Sequence, residues 1–297
     1  MIDPAAQAIL DAVNATPPMD QLGLAASRES VTGRPRATFT EVDVVVDLVT
    51  RISGGVAVRL YRPAGLAAVP LIVFAHGGGW ILGSVESADE TCRRIAVAGG
   101  CAVLSVDYRL APEDPHPAAV LDVEEVLRWL PGVQDEYGID PDRVFLAGES
   151  SGAHVALSAV LARQSEGISG VLLFCPPVDP AMSSDSWTKL GDDHIPRRSQ
   201  MEWMWRLYRG QADEHAGGAP DPATADLSGM PRTVVLVAEY DPLRDEGIAL
   251  TRRMEAQGVE TVLLHAEGQV HPVVGYAPVV PACAAHLATA VQELLKL

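Results

Sequence analysis

Six short apolar runs set the strongest limit on what this chain can fold into. They are LIVFA (71–75), AVLSV (102–106), VFLA (144–147), VLLF (171–174), VVLVA (234–238) and TVLLH (261–265). Their nearly unbroken apolar character predicts strands covered on both faces, as in a parallel sheet. The stretches between them carry helical spacing instead. Val123, Val126, Leu127 and Leu130 form one stripe over 122–130, and Leu287, Val291, Leu294 and Leu295 repeat it near the end. The alternation predicts an α/β fold: a mostly parallel central sheet, right-handed crossovers and helices on both faces. At 297 residues and 48% hydrophobic, the chain has room for one large domain of this kind with insertions.

Two segments stand outside the alternation. Residues 1–40 hold an expected helix, with Asp3 as N-cap and Pro4 as first helical residue. Residues 181–226 run from AMSSDSW to the loop GGAPDPATAD. They include MEWMWRLY, where Met201, Met204, Trp205 and Tyr208 share a helical stripe with Trp203 and Leu207 beside it. These two pieces are read as a small cap on a core made of 41–180 and 227–297. Where the core begins, two extended runs flank Ser53-Gly54-Gly55 and predict an antiparallel hairpin.

The formal charge of −17, with no polybasic run, disfavours nucleic acid and anionic membranes as partners. No apolar stretch approaches membrane-spanning length, and the N-terminus lacks the basic start and long apolar run of a secretory signal. A cytoplasmic protein without stable membrane association is expected. Cys92, Cys101, Cys175 and Cys283 are scattered, with no CxxC pair and no zinc-finger spacing to a histidine, so buried thiols are expected. Asp192-Asp193-His194 reads as a solvated loop rather than a metal site; neither metal nor cofactor is expected.

The run VFLAGESSGAHVALS (144–158) places Gly-Glu-Ser-Ser-Gly between a strand and a helix, the context of a nucleophile elbow. The sterics of so tight a turn choose between the two serines. Ser150 has Gly148 and Gly152 two residues away on either side, whereas Ser151 would have Glu149 and Ala153. Ser151 opens the helix, where its backbone N–H suits an oxyanion. Upstream, VFAHGGGWILG offers three consecutive glycines whose amides a substrate oxygen can approach. A dinucleotide-binding loop would need glycine where Leu82 stands. Gly78 and Gly79 are the expected oxyanion donors beside Ser151, with Gly77 a weaker candidate. His76 is expected to tie the loop down.

HGGGW (76–80), DYRLAPE (107–113), GESSG (148–152) and DPLRDEG (241–247), in that order, resemble the hormone-sensitive-lipase-like family of α/β-hydrolase esterases. The resemblance implies the α/β-hydrolase fold with a small helical cap, and a serine hydrolase acting on carboxylic esters, often of short acyl chains. It implies the chain order Ser, acid, His. Asp241, just beyond a strand, matches the acid; Glu239 lies too near the strand end, and Asp245 and Glu246 suit the first turn of a helix. His271 matches the base. His265 ends a strand, and His286 falls within a helix. The chain departs from the family in Pro272-Val273 after that histidine, where glycine and an aromatic are usual, and in Glu149 and Ser151, where Asp and Ala are commoner. Glu113 reads as a structural carboxylate pairing Arg109, and His154 as a packed side chain.

The expected chemistry is hydrolysis of neutral, short-to-medium acyl esters through Ser150, His271 and Asp241, with Trp80, Trp203, Trp205 and Tyr208 as candidate substrate-binding residues. The same triad would serve an amide, formamide, lactone or peptide hydrolase, and a non-catalytic receptor on this scaffold is a third reading. A small-molecule ester is the expected partner; the sequence leaves a homodimer open.

Overall fold

In the computed structural model, which describes residues 1–32, 40–50, 54–65, 68–163, 165–210 and 221–296, the six apolar runs become six contiguous strands of one eight-stranded sheet, the last of them at its edge. In chain order the strands are β1 (Val44–Val49), β2 (Ala57–Arg62), β3 (Val69–Ala75), β4 (Ala102–Val106), β5 (Ile139–Glu149), β6 (Gly170–Phe174), β7 (Thr233–Tyr240) and β8 (Thr261–Val270). The helices are α1 (Pro4–Asn14), α2 (Met19–Leu22), α3 (Leu24–Thr32), α4 (Asp89–Gly99), α5 (Ala118–Trp129), α6 (Gln134–Tyr137), α7 (Ser151–Ala162), α8 (Asp185–Leu190), α9 (Arg198–Arg209), α10 (Arg244–Ala256) and α11 (Pro281–Leu294). The strand order is β1-β2-β4-β3-β5-β6-β7-β8. The hairpin strands β1 and β2 pair antiparallel, and β2 runs antiparallel to β4; every other pairing is parallel. Of the expected hairpin turn, Ser53 lies outside the described residues, as do 217–220 of the expected cap loop.

The two-sided burial inferred from the apolar runs holds in β3 to β7; TVLLH in β8 departs from it, being half-buried to exposed because β8 is the edge strand. In β3, Leu71, Val73 and Ala75 face a core shared with Val123 of α5, Val155 of α7 and Leu250 of α10. Ile72 and Phe74 face the other core, with Ile95 of α4 and Leu287 and Val291 of α11. Each fully buried aliphatic or Phe side chain there contributes about 1.5–3 kcal/mol relative to exposure. All four cysteines are free and buried. Among the described residues, no helix is long and apolar enough to cross a membrane.

Several strands outrun their apolar centres. β7 continues through Glu239 to Tyr240, and β8 continues from His265 to Val270 past a register shift in their pairing. His265 therefore sits inside a strand rather than at its end. β8 is an edge strand, so polar residues such as Glu267 interrupt its pattern at little cost. Glu149, Asp241 and His271 thus stand at the carboxyl ends of the parallel strands β5, β7 and β8, the usual place for ligands in such sheets.

The N-terminal helix starts as the sequence predicts. Asp3 Oδ1 accepts from the amides of Ala5 and Ala6, and Pro4 is the first helical residue. α3 is pinned by Arg28, which donates to the Ile81 and Ala111 carbonyls and grips both oxygens of Glu113 at 2.8 Å. This corrects the expected Arg109–Glu113 pair. Arg109 instead holds Asp122 of α5, with Nη2 to Oδ1 at 2.7 Å, because α5 starts four residues before the sequence stripe and turns Asp122 toward it.

Candidate active site

Ser150 occupies the bend between β5 and α7 with φ +54° and ψ −124°. A non-glycine residue held there costs on the order of 1–3 kcal/mol and persists only when its surroundings over-determine it. Those surroundings are specific. The Ser150 amide donates to the Phe174 carbonyl on β6 at 2.8 Å, and the Ser150 carbonyl accepts the Ala153 amide at 2.8 Å. Both glycines of the motif sit where a side chain has no room. A Cβ on Gly148 would lie 2.3 Å from the Gly152 carbonyl oxygen, and one on Gly152 would lie 2.1 Å from that of Ala75. The Ser150 side chain stays half-exposed while Ser151 is fully buried.

The three side chains singled out after strands β5, β7 and β8 are brought together. His271 Nδ1 donates to Asp241 Oδ2 at 2.9 Å. With that proton committed, Nε2 is left to accept the Ser150 hydroxyl, 3.0 Å away. Asp241 is wholly buried, and its other oxygen accepts the Leu243 amide at 2.8 Å, so the carboxylate is held from both sides. Burial pulls the His271 pKa down, but the charge and hydrogen bond of Asp241, with the charge of Glu149 added, raise it above the ordinary 6.5. Asp245 and Glu246 lie in the first turn of α10, as the sequence predicts, but Glu246 does more than face the helix dipole. Buried, it accepts from the Val178 and Asp179 amides and the Trp187 indole, which fastens the loop leading into α8. Its partners lie about 60 residues upstream, and no local pattern announces them.

The glycine loop after β3 lies against this bend. A Cβ on Gly77 would be 3.3 Å from the Glu149 carbonyl oxygen. Gly78 and Gly79 have φ of +130° and +61°; a Cβ on Gly79 would meet Met204 Sδ at 2.2 Å, so α9 rests directly on the loop. His76 fastens the loop's start: Nδ1 donates to the Gly77 carbonyl at 2.8 Å, and its ring stacks on Tyr108 at 4.2 Å. The stripe on α9 faces inward, with Met201, Met204, Trp205 and Tyr208 buried and Trp203 half-buried. Trp80 is fully buried and stacks on Tyr208 at 4.5 Å and against Trp205 at 4.2 Å. His154 meets all three rings edge-on; its burial holds its pKa down at about 3, so it is a neutral, packed side chain. His116, a lone histidine in a proline-rich loop with no sequence signal, anchors α9: its ring contacts the Tyr208 hydroxyl at 2.9 Å and its amide donates to the Tyr208 carbonyl.

Among the described residues, one trio of metal-capable side chains converges, Cys175, Asp241 and His271, with ligating atoms within 4.8 Å of one another. Two of the three are already engaged with each other through the imidazole–carboxylate hydrogen bond. His194 pairs with its neighbour Asp193 at 2.6 Å.

Comparison with known proteins gives a consistent setting. A family model described as alpha/beta hydrolase fold matches residues 72–275. Esterase LipI of Mycobacterium tuberculosis is 36% identical over 292 residues, covering 95% of this chain and 90% of the relative. Carboxylesterase NlhH of the same organism is 37% identical over 239 residues, 77% of this chain and 74% of the relative. Among solved structures, a thermostable esterase from Pseudomonas putida superposes with a TM-score of 0.90 at 27% identity, covering 100% of this chain and 98% of that one.

Proposed function

The chain belongs to the hormone-sensitive-lipase-like family of α/β-hydrolase esterases, and from that premise we propose that it is a carboxylic ester hydrolase working through Ser150, His271 and Asp241. The observation that carries the reading is the continuous relay of 3.0 and 2.9 Å from serine oxygen through imidazole to buried carboxylate. His271 Nε2 takes the Ser150 proton as the serine oxygen attacks the ester carbonyl. Asp241 fixes the tautomer and stabilises the imidazolium that results. The amides of Gly78, Gly79 and Ser151 receive the developing oxyanion, each donor being worth about 10²–10³ in rate. The imidazolium returns its proton to the leaving alcohol, and water, activated by the same histidine, releases the acid from the acyl-enzyme.

The chain's charge of −17 disfavours anionic substrates, and the inward aromatic face of α9 favours an apolar acyl or alcohol group. Trp80, Trp205 and Tyr208 already fill much of the seam between cap and core by stacking on one another, which supports short-to-medium over long acyl chains. A series of p-nitrophenyl esters of rising chain length, run on wild type and Ser150→Ala, tests the assignment. Wild type should turn over the shorter members, with Ser150→Ala reduced by at least about 10⁴. A matched anilide turned over as fast as its ester would move the assignment to amide hydrolysis, and a Ser150→Ala variant as active as wild type would remove it.

A further inference from the structure

Glu149 is a carboxylate with no task in the chemistry above. It closes β5 one residue before Ser150 and is only 9% exposed. Among the described residues it forms no ion pair with a lysine or arginine, although burying an unpaired carboxylate is costly. Its contacts run in two directions. Oε1 accepts the Gly275 amide at 2.9 Å, in the turn four residues after His271. Oε2 points the other way and lies 3.3 Å from where a Cβ on Gly77 would stand. Gly275 has no spare room either: a Cβ there would be 3.1 Å from Pro272 Cγ and 3.4 Å from Glu149 Oε1. The carboxylate thus sits between the loop bearing the base and the loop bearing the oxyanion donors, while its own backbone continues into the nucleophile.

We propose that Glu149 is a positioning residue for the relay: it ties the His271 loop to the Ser150 bend through the Gly275 amide and sets a second negative charge beside the imidazolium formed in turnover. The inference rests on the triad reading. It adds a carboxylate that neither touches the serine nor fixes the tautomer.

Burial raises the Glu149 pKa, while His271 and the Gly275 amide work against that rise and favour the ionised form. In return, Glu149 adds to Asp241 in raising the pKa of His271 against the effect of burial. The other titratable groups that feel Glu149 are the Cys92 thiol on α4, the Tyr108 phenol and the Cys175 thiol after β6. Burial pushes each of these upward, so they stay protonated and neutral near pH 7. Asp241 and Glu149 are therefore the charges that bear on the imidazole.

Glu149→Gln separates charge from shape, because the amide keeps an oxygen for the Gly275 N–H. The expected result is a kcat lower by up to about tenfold with KM little changed, and an acid limb of kcat/KM moved to lower pH by up to about one unit. Glu149→Asp keeps the charge on a shorter arm and should return the limb toward its wild-type position. A purely structural role would instead lower the Tm and the fraction of sites that react with a fluorophosphonate, leaving the limb of the surviving sites in place; that outcome overturns the proposal. If Ser150→Ala is inert and both Glu149 variants keep the wild-type limb, the role of Glu149 falls alone. If Ser150→Ala still turns over ester, the triad reading falls and takes this inference with it.

Discussion

Gly152→Ala should damage the protein more than any other single methyl addition at the serine bend. The added Cβ would lie 2.1 Å from the Ala75 carbonyl oxygen and 2.3 Å from that of His76. An unstrained carbon–oxygen contact is about 3.3 Å, so something must move by roughly 1 Å. The clashing atoms are backbone at the end of a central strand, not the tip of a flexible side chain, and they have nowhere to go. Overpacking in a well-filled core costs about 1–3 kcal/mol, and this site belongs at the upper end. At about 2 °C per kcal/mol for a domain of this size, the Tm should fall by about 6 °C. Because Ser150 caps α7 and Ala75 leads into the glycine loop, the same shift separates the proposed nucleophile from the proposed oxyanion donors. A 1 Å misplacement there costs about 10² in rate. Differential scanning calorimetry, with kcat/KM on p-nitrophenyl acetate, measures both. Gly132→Ala is the control: nothing lies within 4 Å of its Cβ and its φ is not positive, so its stability should stay within about 0.5 kcal/mol of wild type. A Gly152→Ala protein with the Tm and turnover of wild type would refute the close docking of the bend on β3.

As the proposed base, His271 has to be neutral to accept the serine proton, and its pKa is raised, so kcat/KM should fall on the acid side with a midpoint above 6.5; a midpoint below 6.5 in the pH profile would contradict the arrangement. Glu246 has its pKa raised from 4.5 to about 7 by burial, so the folded state holds a proton that the unfolded state releases. That contribution to stability is complete below pH 4.5 and declines as pH rises to about 7, by up to about 3 kcal/mol, so denaturation curves at pH 5 and pH 8 should differ in wild type and differ less in Glu246→Gln. His154→Phe should keep the Tm and ester turnover near wild type, since His154 is neutral and packed among rings; a turnover loss as large as that of His271→Ala would assign it chemistry. Arg28→Ala removes the clamp on the Ile81 and Ala111 carbonyls and on Glu113, so limited proteolysis should cut within residues 1–32 faster than in wild type, and equal rates would count against the clamp.

What the sequence made legible follows from how local each signal is. The centres of β3 to β7 were readable because burial on both faces leaves unbroken apolar runs, though the same kind of run in β8 proved half-exposed at the sheet edge, and the bend at Ser150 was readable because only glycine fits at 148 and 152. The α9 stripe was readable from its spacing: Met201, Met204, Trp205 and Tyr208 are all buried, joined by Gln200, which the stripe did not include. Strand ends were not readable. β8 runs five residues beyond TVLLH, through Ala-Glu-Gly-Gln-Val, because an edge strand tolerates polar residues and a register shift realigns it with β7. Long-range polar partners were not readable either. Arg28 meets Glu113 across 85 positions, and Glu149 meets Gly275 across 126. Nothing in HGGGW or in MEWMWRLY says that Trp80 stacks on Tyr208, because that contact exists only once α9 packs against the loop after β3.

Peptide-resolved mass spectrometry of the protein after reaction with a fluorophosphonate bears most directly on the relay itself. One adduct per chain is expected on the peptide containing Ser150, forming fast in wild type and at least about 10³-fold more slowly in His271→Ala. An adduct on another residue, or equally fast labelling once His271 is gone, would contradict a serine made nucleophilic by that imidazole.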